Sequence, residues 1–182
     1  GYPWTLRKKP SNASRCLLSS SALFCKLAKI YSNHFSADQD RLEQTILSFK
    51  REDGMLEDIS GDKNVVSETR QGFAGLVNIG REVPNFNCEK YYQDPLYFMR
   101  DYEWNNPWGA GAHLSHYVFF MKHSGQIEKI DRVFKSLERF EKPEGWYKSH
   151  PPDAHNLING IMKVMTAFDA AGISIPKKNM KG

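Results

Sequence analysis

The chain has 182 residues, 40% of them hydrophobic and 25% charged, with a formal net charge of +4. That length is enough for a real core, and the composition is that of an ordinary globular protein rather than a disordered or fibrous one. The sequence has no basic stripe interleaved with aromatics and no apolar run long enough to span a bilayer, so neither nucleic-acid binding nor a membrane span is expected.

Residues 1–12 read as an extended lead-in. A first helix is predicted over Ala13–Tyr31, where Leu17, Leu18, Leu23, Phe24, Leu27 and Ile30 recur at helical spacing and Ser19-Ser20-Ser21 offers a narrow packing surface. The second should start near Ala37 or Asp38 and turn Leu42, Ile46 and Phe49 inward. Residues 51–66 form a loop whose Asp53, Glu57, Asp58 and Asp62 are expected to be solvated. Ser67 is the expected N-cap of a third helix that ends at Gly80 and carries Phe73, Leu76, Val77 and Ile79. An aromatic-rich fourth helix is predicted over Glu89–Glu103. A fifth runs from Pro107, capped by Asn106, to about His123, with Gly125 beyond it. The sixth, Gln126–Phe140, is a clean amphipath with Ile127, Ile130, Val133, Phe134, Leu137 and Phe140 in one stripe. The seventh runs from the cap Asp153 to Ala171 and stops at Gly172. Leu157, Ile158, Ile161, Val164, Met165 and Phe168 make it apolar over a wide arc, so it should be more buried than the sixth. A basic tail, 173–182, follows.

No stretch reads as a convincing strand, so the class is all-α, with about seven helices in a single domain over 13–172. Cys16, Cys25 and Cys88 are odd in number and lack metal spacing. They read as buried thiols in a reducing compartment and, with no visible signal peptide, favour a cytoplasmic location.

Self-similarity suggests the architecture. Phe49 precedes Gly54 as Phe140 precedes Gly145, each after an amphipathic helix and before a polar loop and a more apolar helix. The closing glycines match as well: Gly80 lies 26 residues after Gly54, and Gly172 lies 27 after Gly145. The pattern is outer helix, loop, inner helix, repeated, with the first helix as an additional inner one.

Asp53-Gly54-Met55-Leu56 and Glu141-Lys142-Pro143-Glu144-Gly145-Trp146 look like degenerate forms of a Gln-x-x-x-Gly-x-Trp repeat. On these residues the chain resembles the α/α-toroid proteins of the terpenoid-cyclase and protein-prenyltransferase-like superfamily. The resemblance implies antiparallel helical hairpins arranged as a partial α/α toroid. It does not extend to the cyclases' acidic cluster or the prenyltransferases' zinc ligands. The chain holds only part of the hairpins that close a toroid, so a homodimer or a missing companion domain is expected to cover its first or last helix.

Within a toroid the inner helices run parallel, and their N-terminal halves share one end. That gathers Trp104, Trp108, His113, His116, Trp146, Tyr147, Asn159 and Lys163 as candidate ligand-binding residues, with Asp153 and His155 as candidate catalytic ones. His155, Asn159 and Lys163 form one line on the last helix, and the aromatics could stack a sugar or guard an apolar chain. His113 and His116 have the i, i+3 spacing of a metal pair but lack a third ligand, so no metal is assigned. No nucleophile elbow, phosphate loop or dinucleotide motif is present, so no cofactor is assigned. The functions that remain are a toroid-like domain binding or processing a small isoprenoid-like or saccharide ligand, a carbohydrate-active α/α barrel fragment, and a non-catalytic helical scaffold for protein interaction.

Overall fold

The computed structural model describes residues 17–32, 37–58, 65–92, 107–137 and 154–175. They form six α-helices: α1 (Leu17–Ile30), α2 (Gln39–Leu47), α3 (Val65–Asn78), α4 (Pro107–His123), α5 (Ile127–Leu137) and α6 (Ala154–Ala171). A 3-10 turn spans Glu89–Tyr91. Among the described residues there is no strand, only an isolated bridge between Lys50 and Leu56. The chain is therefore all-α, as its periodicity predicts. It divides into two compact units, Gly1–Cys88 and Glu89–Gly182.

In the first unit α1 and α3 pack side by side in the same direction. A Cβ added at Gly72 would strike the Leu18 side chain, and one added at Gly75 would lie 3.0 Å from Ala22 Cα. Ser19, Ser20, Ser21 and Ala22 are all buried, so small residues on both helices let the backbones approach. The second helix begins as expected, with the Asp38 side chain accepting the Arg41 N–H at 3.0 Å. Its Leu42 and Ile46 are buried with Leu18, Met55, Leu56, Phe73 and Leu76. Arg81 ties α3 back to α2 by ion pairs to Asp40 and to Glu43, the latter at 3.1 Å.

The second unit repeats the plan. α4 and α6 form its most extensive contact and again run parallel: Pro107 meets Gly160 at one end, and Lys122 Nζ donates to the Ala170 carbonyl at 2.8 Å at the other. The outer helix α5 joins α4 through three residues. It buries Ile130, Val133, Phe134 and Leu137, with the Phe134 ring 4.6 Å from Phe168 of α6. Tyr92 packs edge-on against Tyr117, centroids 5.3 Å apart.

Three helices end alike, at the glycines that the sequence places beyond them. Gly80, Gly125 and Gly172 have φ of 74°, 74° and 71°. The amide after each glycine reaches back to an α-helical carbonyl: Arg81 to Leu76 at 2.9 Å, Gln126 to Met121 at 2.8 Å and Ile173 to Phe168 at 3.0 Å. This is the Schellman arrangement, and it satisfies carbonyls the helix end would leave open. Nothing lies within 4 Å of a Cβ at these three positions, so the left-handed backbone alone demands glycine.

Several expectations change. α3 starts at Val65 rather than after Ser67, because Val66 belongs to the core. Val77 and Ile127 are exposed. The described part of the acidic loop is not a solvated surface, and Asp62 lies outside the described residues. Asp58 is 1% exposed, and its N–H is held at 2.7 Å by the buried Glu68 carboxylate. Thr69 Oγ1 accepts the Leu56 N–H at 2.8 Å and donates to its carbonyl at 3.2 Å. Arg51 pairs with both Asp53 and Glu57. Gly54 sits under the Asn85–Phe86 backbone, and the Asn87 N–H reaches the Asp53 carbonyl at 2.7 Å. The expected fourth helix is a single 3-10 turn where it enters the described residues, and the rest lies outside them, as do the expected caps Asn106 and Asp153. The seventh predicted helix, here α6, is not the more buried one: only Gly160, Val164, Ala167 and Phe168 are buried.

A Cβ at Gly160 would lie 2.5 Å from the Pro107 carbonyl carbon, so Gly160→Ala should destabilise the fold by about 2 kcal/mol through overpacking. Gly172→Ala meets no atom and should cost only about 1 kcal/mol for its left-handed backbone. Urea denaturation of the two variants measures the difference.

Candidate functional site

Trp108, His155 and Asn159 lie at the N-terminal end of the α4–α6 pair. The Trp108 N–H, unpaired within its own helix, donates to Asn156 Oδ1 at 3.2 Å, so α6 caps α4. Trp108 meets the His155 ring edge-on, centroids 5.3 Å apart and planes at 73°, and remains 43% exposed. The structure thus brings two of the expected site residues together across two helices. Asn159 turns back on its own helix: Nδ2 donates to the His155 carbonyl at 2.8 Å and lies 3.4 Å from the ring. Lys163 is half-buried, its stem beside Gly111. The line His155–Asn159–Lys163 therefore winds from solvent into the helix seam instead of facing a cavity.

His113 and His116 belong to a different side of α4. At about 100° per residue they stand about 200° and 140° round the helix from Gly111, which faces α6. His113 is half-buried, and that burial lowers the pKa of its imidazole below the ordinary 6.5. Trp104, Trp146, Tyr147 and Asp153 lie outside the described residues.

Ile158, Ile161 and Met165, part of the wide apolar arc expected to bury this helix, form a surface instead. Ile158 is 65% exposed, and Met162 and Met165 are 51% exposed each. With Ile161, Ile173 and Ile175 they line an open groove of about 740 Å³, whose polar members are Thr166 and Asp169. Its floor is the face of α6 about 145° round from the one packed on α4. Its wall is the segment that the Schellman turn at Gly172 sends back past Phe168. The signal in the sequence is the breadth of the apolar arc itself: an arc too wide for one neighbour means two.

Among the described residues, no three His, Cys, Asp or Glu gather as a metal set, and no helix is long and apolar enough to cross a membrane. Cys25 is buried, and burial pushes its thiol up to about 11, which leaves it protonated and unreactive at neutral pH. Comparison with family models, curated proteins and solved structures gives no match.

Asn156→Ala leaves the Trp108 N–H without its acceptor and should cost about 1 kcal/mol in chemical denaturation. The depressed pKa of His113 gives a pH dependence of definite sign. Above 6.5 the imidazole is neutral in both states and costs nothing. As pH falls from 6.5 toward the lower folded value, the unfolded chain takes up a proton that the folded one refuses, and stability is lost. The melting temperature should therefore fall between pH 7.5 and 5.5, and His113→Gln should flatten that decline.

Proposed function

We propose that this chain is a non-catalytic helical scaffold of partial α/α-toroid type, and that its working surface is the outer face of α6, which receives an amphipathic helix. The observation that carries this reading is the double-sided character of α6: one apolar face is packed on α4, and the other is open along Ile158, Met162 and Met165. Anchors at i, i+4 and i+7 on a straight groove match the way an amphipathic helix lies in an apolar cleft. The stripe carries an imidazole at its N-terminal end, His155, and a carboxylate at the other, Asp169, so it favours a helix of complementary ends. The toroid component is supported by the inner pairs α1–α3 and α4–α6, which run parallel, each linked through an outer helix. The scaffold reading is also supported by how the polar groups at this end are used: Asn156 caps a helix, and the candidate Asn159 bonds its own turn.

A second reading rests on Trp108. Its half-exposed indole, steadied by His155, offers a face on which a saccharide or an isoprenoid chain could lie. Thermal-shift screening with oligosaccharides and polyisoprenoid phosphates tests it: stabilisation that Trp108→Ala abolishes would favour a small-ligand site over a docking scaffold.

The docking reading is tested by fluorescence anisotropy with a labelled synthetic amphipathic helix, basic at its N-terminal end and acidic at its C-terminal end. Saturable binding is expected, weakened about tenfold or more in the double variant Met162→Glu, Met165→Glu. Absence of saturable binding to the unmodified chain overturns the reading.

A further inference from the structure

Which helix fills the groove can be argued from α6 itself. We propose that a second copy of this chain supplies it, the two α6 helices lying antiparallel across a two-fold axis at Met162. This inference rests on the docking reading above and names its partner.

A two-fold interface requires a single surface to be complementary to itself, and this stripe is. On α6, His155, Ile158, Met162, Met165 and Asp169 follow one another at intervals of three, four, three and four residues, and at about 100° per residue they stay within one narrow stripe. The stripe is about 21 Å long. Its two ends differ in just the way an antiparallel mate needs. At the N-terminal end Ile158 is the most exposed of the groove's large side chains. At the C-terminal end the groove is walled by Ile173 and Ile175. Pairing about Met162 sets Ile158 of each copy opposite Met165 and Thr166 of the other, at the walled end, so projection meets recess twice.

Charge follows the same register. Residues 155 and 169 are equidistant from 162, so each His155 stands opposite the other copy's Asp169. An imidazole N–H then faces a carboxylate at both ends of the interface. A parallel pairing would instead set histidine beside histidine and aspartate beside aspartate. The two helix dipoles also favour the antiparallel arrangement, since each positive N-terminus lies beside a negative C-terminus. His155 is already steadied by the Trp108 edge and by Asn159 while remaining exposed, so little side-chain freedom is lost on pairing.

The test is sedimentation equilibrium on the intact chain, with thermal unfolding as a control for folding. The unmodified chain should sediment as a monomer–dimer equilibrium. Met162→Glu puts two carboxylates at the axis and should abolish the dimer while unfolding stays cooperative, because the side chain it replaces is exposed. His155→Glu sets carboxylates together at both ends, and Asp169→Lys replaces the imidazole's carboxylate acceptor with a second donor, so each should weaken association about tenfold. Both suit the dipole of α6, so neither should harm the fold. Mixing the two variants gives a Glu–Lys pair at one end and the original imidazole–carboxylate pair at the other, and the mixed dimer should regain the affinity of the unmodified chain. A chain that stays monomeric yet still binds the synthetic helix overturns the second-copy proposal and leaves the docking reading standing. A dimer that survives Met162→Glu overturns the face. Single variants that weaken association without recovery on mixing overturn the register.

Discussion

Everything in the second unit depends on two helix backbones coming close enough to touch. Gly111 lies against the Gly160 carbonyl and Gly160 against Pro107, with no room for a methyl group at either. That contact sets the distance between α4 and α6, brings Asn156 within reach of the Trp108 N–H, and decides which face of α6 is left over. The first unit reaches a similar result with different residues, with Gly72 and Gly75 of α3 laid over Leu18 and Ala22 of α1. Close packing of this kind gains dispersion contacts along the whole seam, and it gives little tolerance to added volume.

The polar groups that invite a chemical interpretation are occupied with holding the chain in place. Thr69 both donates to and accepts from Leu56, Glu68 holds the Asp58 amide, and Arg51 gathers Asp53 and Glu57. Together they fasten the segment between α2 and α3 onto α3. On its other side that segment is covered by Asn85–Phe86, over Gly54. A buried amide without an acceptor costs about 1–3 kcal/mol, so a short loop passing over a core needs such partners wherever water is excluded.

Helix positions and ends were legible in the sequence because they follow from local chemistry. Pro107 at a first turn, Asp38 as a cap and the glycines at 80, 125 and 172 act through neighbours in the chain, and the structure places each where its chemistry predicts. Faces were harder. Ile158, Ile161 and Met165 have the side chains of a core, and only the positions of α4 and α5 decide that Val164 and Phe168 are inside while those three are not. The burial of the acidic loop is hidden from the sequence for the same reason, since its partners Glu68 and Thr69 stand on a helix that periodicity alone places only approximately. For the candidate site, the pairing of Trp108 with His155 follows from the parallel course of α4 and α6. The separation of His113 and His116 from that pair depends on helix rotation, which the alignment of helix starts does not specify.

Parallel neighbours cannot be joined by a tight turn. Before α4 and α6 can meet, the chain must complete α5 and cross to the far end, and α1 reaches α3 only by way of α2 and the fastened loop. The most extensive contacts of each unit are therefore made between segments distant in sequence, and the entropy of closing those loops must be met before the seams reward it. A bundle of up-and-down hairpins gains its contacts one short turn at a time. This chain must instead bring α1 to α3 and α4 to α6 across an intervening helix before either seam forms, so its seams assemble later than those of a hairpin bundle.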